Sequence, residues 1–184
     1  MLIGMKRLAI MILAAISIPS AAFTWAGAIC VFSDAAGTNC NVYDTPDGII
    51  FLYIYHAYST GAKGSEFKLV APAGWTHLGD IPSFEGTVGT ALEGISIDYV
   101  TCRTGNFFIY QCTFLGDGST PACSKTAVQI VPSPNASTGG VQGIDCTDKI
   151  VPLGTYPPLV NNDGNCPFVP VETTTWGGIK ALYE

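Results

Sequence analysis

All seven cysteines lie downstream of residue 28, and the segment before them reads as an export leader. That arrangement limits what the chain can fold into more than any other feature. Lys6 and Arg7 make a positive start, Leu8 to Ile18 is apolar and uncharged, and Pro19-Ser20 breaks the run. Two small-x-small cleavage sequences follow, Ser20-Ala21-Ala22 and Ala26-Gly27-Ala28. The apolar run is too short to cross ~30 Å of hydrocarbon as a helix. The pattern predicts a cleaved signal peptide over residues 1–28, with Ala22 as the alternative cut. The mature chain would have no membrane span and would be secreted or held in the cell envelope, on the extracellular or periplasmic side.

That compartment is oxidising, so disulfides are expected. Cys30, Cys40, Cys102, Cys123, Cys146 and Cys166 are the bridge candidates. Cys112 sits among apolar neighbours and is expected to be the odd thiol, behaving as a small hydrophobe. Sequence alone does not choose among the possible pairings. There is no CxxC pair, and His56 and His77 are remote from any close cysteine pair. A zinc site wants four nitrogen or sulfur ligands in compact spacing, so neither a metal site nor a cofactor is expected.

Removing Lys6 and Arg7 from the eight basic residues leaves six against fourteen acidic ones, a formal charge of −8. Nucleic acid needs clustered Lys and Arg on its phosphates, so it is excluded as a partner. The chain downstream reads as strands divided by turn residues. Thr45-Pro46-Asp47-Gly48 is a turn in which Pro presets φ and Gly supplies a positive one. Ile49 to Tyr58 is apolar and aromatic on both faces, which predicts a central strand covered on both sides. Glu66 to Val70 and Gly94 to Cys102 alternate polar with apolar. Phe107 to Leu115 follows a Gly105-Asn106 turn, and further strands are expected at Ile29–Phe32, Ala127–Val131, Val141–Cys146 and Ile150–Leu153. No helical pattern separates them, which predicts an all-β antiparallel sandwich, immunoglobulin-like and disulfide-stapled, over residues 29–172. A short helical tail is expected over residues 173–184, with Trp176, Ile179 and Tyr183 on one face.

The order of segments carries a resemblance. It runs through Ser33-Asp34-Ala35-Ala36-Gly37-Thr38-Asn39-Cys40, Tyr53-Ile54-Tyr55-His56 and Gly61-Ala62-Lys63-Gly64-Ser65-Glu66-Phe67. Gly94-Ile95-Ser96-Ile97, Val131-Pro132-Ser133-Pro134 and Asp145-Cys146 follow, and the close is Thr174-Thr175-Trp176-Gly177-Gly178-Ile179-Lys180-Ala181-Leu182-Tyr183. This resembles a family of small proteins exported by environmental bacteria, for which no activity is carried over. Such chains tend to show Cys-x-Cys near the end, whereas Cys166-Pro167-Phe168 keeps only the first cysteine. A looser likeness is to cohesin-type sandwiches, and it concerns fold alone.

No catalytic constellation stands out. Gly-x-Ser-x-Gly is absent, and pairs such as Asp44/Asp47 or Glu85/Glu93 read as turn or surface residues. Asn161-Asn162-Asp163-Gly164-Asn165 lacks the acidic spacing of a calcium loop and reads as a turn. Aromatic side chains can mark a ligand surface, and Trp75, His77 and Tyr55 are its candidates, the first two in a Pro/Gly-framed segment expected to display them. The expected function is a non-enzymatic binding or adhesion module for an extracellular or cell-surface ligand. The alternatives are a structural surface or filament component that self-associates, and a cryptic hydrolase.

Overall fold

The computed structural model describes residues 26–124 and 127–162. The leader before Ala26, the tail over residues 173–184, Cys166 and the segment 163–165 lie outside them. In chain order the strands are β1 (Ala28–Phe32), β2 (Asn41–Val42), β3 (Ile49–Val70), β4 (Thr76–Pro82), β5 (Gly86–Thr90) and β6 (Gly94–Leu115). After these come β7 (Gln129–Val131), β8 (Gln142–Asp145), β9 (Ile150–Pro152), β10 (Gly154–Tyr156) and β11 (Leu159–Val160). No helix occurs among the described residues.

Two 22-residue strands, β3 and β6, organise the sandwich. Each was expected as two separate strands, and each instead runs through from one layer to the other. They pair antiparallel along their length, but the register shifts between Ile54/Tyr55, His56/Ser59, Ser59/Ala62 and Ala62/Gly64. Bulges of this kind bend a strand and sharpen its twist. Tyr58 and Val100 take positive φ at the bend, which costs strain for bulky residues and marks the corner where both strands change sheets.

The first half of β3 and the second half of β6 join β10, β1 and β4 in the order β10-β1-β3-β6-β4. The second half of β3 and the first half of β6 pair with β8, β7 and β5 instead, with β9 beyond β8. Every second residue of the first layer points inward: Ile50, Leu52, Ile54 and His56 on β3, with Cys112 and Phe114 on β6. The second layer answers with Ser65, Phe67, Leu69, Ile95, Ile97 and Tyr99. Together they make one continuous core.

Cys102 and Cys146 are bonded, joining the exposed bend of β6 to the residue after β8. Cys123 is disulfide-bonded as well. Cys112 is a buried thiol, but Cys30 and Cys40 are thiols too, contrary to the expectation that both are bridged. Cys30 is buried within β1 beside Ala28 and Ala57, where among the described residues no second cysteine joins its cluster, and Cys40 is exposed just before β2.

Candidate functional site

Ile49–Tyr58 is central, as expected, but among the described residues its outer side is only partly covered. Its inward set is buried, whereas Ile49 and Phe51 are exposed and Tyr53 and Tyr55 half-buried on the outside. The outward residues of neighbouring strands extend this surface. Phe108 lies opposite Tyr55, Gln111 opposite Tyr53 and Thr113 opposite Phe51. Phe32 of β1 pairs with Tyr53, Ile81 of β4 with Gln111, and Tyr156 of β10 with Cys30.

The rings form one connected array. Phe51 and Tyr53 lie 6.4 Å apart between ring centres, Tyr53 and Phe108 6.1 Å, Phe108 and Tyr55 5.6 Å, and Tyr55 and Phe32 5.4 Å. These are aromatic-pair separations. Neighbouring rings are tilted by 36° to 89°, so no flat shelf results. Five strands at ~4.8 Å spacing and about seven residues of strand give a platform of roughly 400 Å².

Charge is missing from this layer. Across β1, β4, β10 and the paired halves of β3 and β6, Asp80 is the one formally charged residue. It stands opposite inward-pointing Cys112, with its side chain 12% exposed. Asp34, on the loop after β1, places a charge at the rim near Tyr55. Its carboxylate accepts from Thr38 Oγ1 at 2.6 Å and from the Thr38 and Asn39 amides at 2.9 Å each. The Thr38 hydroxyl leads in holding this carboxyl below its ordinary range. The loop it braces lays Gly37, at φ 67°, against the Tyr55 ring, and a Cβ there would come within 3.1 Å of Cζ. Tyr55 in turn donates its hydroxyl to the Ala35 carbonyl at 2.6 Å. Burial, then the Asp34 charge, push the Tyr55 hydroxyl pKa up. One edge of the face is therefore held by a rigid loop.

Beneath Phe32 lies a small second cluster of Ala28, Cys30 and Ala57. Burial pushes the Cys30 thiol up to about 11, so it stays protonated at neutral pH and has little nucleophilic character.

Of the three ligand candidates read from the sequence, only Tyr55 lies on this face. Trp75 is 9% exposed and packs on Phe114 at 5.6 Å, beside the Asp44 carboxylate. Burial works to raise the Asp44 pKa, but donors from Thr120 and Gly118 outweigh it and the net shift is downward. The Gly118 and Thr120 amides each donate to it at 3.0 Å. His77 donates Nε2–H to Asp80 at 2.7 Å and lies against Phe114. Trp75 is buried, and His77 is half-buried on the side of β4 that meets Phe114. The Pro/Gly frame that suggested display instead turns the chain into β4. The signal that could have found the face is the period of two in Ile49-Phe51-Tyr53-Tyr55. Being apolar on both faces, the strand concealed which side was wet.

His56 is fully buried. Its Nε2 is 2.9 Å from the Ala26 carbonyl, which can only accept, so Nε2 carries the proton and Nδ1 accepts from the Tyr99 hydroxyl at 2.9 Å. Tyr99 is also hydrogen-bonded to Ser65 Oγ at 2.7 Å. Ser65, Tyr99 and His56 are at most 3% exposed, so no substrate reaches this chain of groups. Among the described residues no cluster of three His, Cys, Asp or Glu is placed to hold a metal.

No family model and no curated sequence matches the chain. Solved structures do match in fold. The sixth cohesin of Acetivibrio cellulolyticus scaffoldin B, solved in complex with a Cel5 dockerin, superposes with a TM-score of 0.50 at 13% identity. The match covers 74% of this chain and 98% of that one. A non-cellulosomal cohesin from the archaeon Archaeoglobus fulgidus gives 0.48 at 11% identity over 73% and 89% of the two chains. A cohesin from Clostridium acetobutylicum gives 0.45 at 10% identity over 77% and 94%. The architecture is thus a cohesin-like β-sandwich, and the looser of the two likenesses read from the sequence holds at the level of fold.

Proposed function

We propose that this chain is an exported, non-enzymatic binding module that docks a protein partner on the outer face of the β10-β1-β3-β6-β4 layer. The observation that carries it is the uncharged aromatic array from Phe51 through Tyr53, Phe108 and Tyr55 to Phe32. The centre of a protein interface is depleted of charge and enriched in Tyr and Phe, and anchors concentrate on such aromatics. The tilted rings disfavour a flat sugar-stacking shelf. A cohesin of similar fold that was solved with a dockerin bound supports the protein class of ligand. The cysteine usage, the leader and the closing Thr-Thr-Trp-Gly segment, with its likeness to small exported bacterial proteins, support a place outside the cytoplasm.

The test uses the immobilised chain and envelope or secreted proteins of the producing cell. Phe51, which is exposed, and Tyr53, which is half-buried, are replaced together by Ser, and the melting temperature of the variant is measured beside its binding to confirm that it is folded. A partner retained by the native chain and lost by the variant supports the reading. Equal retention by both removes this face as the site.

A second reading, a self-associating surface component, draws on one observation, the exposed Cys40 thiol. Non-reducing gels of air-oxidised protein test it. A covalent dimer abolished by Cys40→Ser favours it, and a strictly monomeric product removes it.

A further inference from the structure

We infer that the leader is cut upstream of Ala26, after Ala22, and that Ala26-Gly27-Ala28 belongs to the mature fold rather than to the signal. The inference rests on the export reading above and corrects the boundary at residue 28 expected from the sequence.

Ala26 and Ala28 are at most 2% exposed. The Ala26 carbonyl is the acceptor of the buried His56 Nε2–H at 2.9 Å. The Gly27 carbonyl accepts the Gly154 amide at 3.0 Å. Ala28 lies in register with Ala57 on one side and Gly154 on the other, so it is sandwiched in the sheet. Gly27 has φ 122°, and a Cβ there would meet the Ala57 carbonyl oxygen at 2.6 Å and His56 Nε2 at 2.7 Å. Only glycine fits such a place. The Ala-Gly-Ala run therefore has a packing reason for its small residues, and its likeness to a cleavage sequence is incidental.

A cut after Ala28 would remove all of these contacts. It would leave the buried His56 N–H without its acceptor, and it would place a new ammonium on Ile29, which is wholly buried in the middle of the layer. Burying an unpaired charge is strongly unfavourable. A cut after Ala22 leaves every described contact intact. It also follows directly on the apolar run and Pro19, with small residues Ser20 and Ala22 flanking Ala21.

The full-length precursor, with its own leader, is expressed in a bacterial host, and the exported form is examined by intact mass and N-terminal sequencing. The expected start is Phe23, and Ala22→Leu is expected to abolish that cut and accumulate precursor. A start at Ile29, or normal processing of the Ala22→Leu chain, overturns the inference while leaving export standing. A cytoplasmic product that keeps Met1 overturns the export reading and the inference with it. Chains beginning at Phe23 and at Ile29 are also compared directly, without any export step. The shorter is expected to melt at least ~5 °C lower or not to fold, and equal melting overturns the inference.

Discussion

At the scale of single residues the thiols and His56 give the clearest expectations. Cys30 and Cys112 are buried and burial raises both thiols, whereas Cys40 is exposed. Alkylation of the native protein at neutral pH, followed by mass spectrometry, should modify Cys40 within minutes and the other two only after denaturation. Equal labelling of all three would show that β1 and β6 open readily. His56 is neutral in the fold because burial lowers its pKa. The unfolded chain takes up a proton near 6.5, so the folded state binds fewer protons below that point. Stability from this residue is therefore full above about pH 6.5 and is lost as pH falls from there toward the folded pKa, at up to ~1.4 kcal/mol per pH unit. Urea midpoints at pH 7 and pH 5.5 should differ more in the native protein than in His56→Gln. If the two show the same pH dependence, His56 is not the titrating group.

At the scale of elements, the Cys102–Cys146 bond fastens the bend of β6 to the end of β8, across a sequence separation of 44. Closing a loop of that size restricts the unfolded chain by about 4 kcal/mol. Replacing both cysteines by Ser should lower the denaturation free energy by up to that amount, with the cohesin-like fold kept. A loss under ~1 kcal/mol would mean that the unfolded chain is already compact near the bend. Much of the element pattern was legible beforehand. Ile29–Phe32, Glu66–Val70 and Phe107–Leu115 follow from alternation and turn residues, and all three fall within observed strands. What escaped was continuity. Gly105-Asn106 reads as a turn and residues 59–65 fall in no expected strand, yet the chain passes through both as bulged strand, because cross-strand pairing overrides local turn preference. The short strands β2, β10 and β11 have too few residues to show any period.

At the scale of the whole molecule, the proposed docking face would consist of exposed and half-buried rings that cost the monomer solubility. The paired Phe51 and Tyr53 substitutions are expected to lower the unfolding free energy by ~1–2 kcal/mol, while binding of a partner falls at least ~10-fold, as for removal of interface anchors. Calorimetric unfolding and surface-binding measurements on the same preparation check both halves. A large loss of stability would instead make the array part of the structural core. This face was only half legible. Of the three candidates named from the sequence, Tyr55 lies on the outer face and Trp75 and His77 lie against Phe114; an aromatic beside Pro and Gly looks displayed until the packing around it is known. Phe32 and Phe108 come from strands remote in sequence, and only the pairing places them beside Tyr55.

The seam between β1 and β10 has a kinetic meaning. The earliest strand made on the ribosome has, as its outer neighbour, one that emerges more than a hundred residues later. Until then β1 has an unpaired edge, and the platform it helps to build stands open along one margin. Wherever the chain folds, closing that margin waits on a segment distant in sequence, and a helper that shields it would matter more for yield than for the stability of the completed molecule.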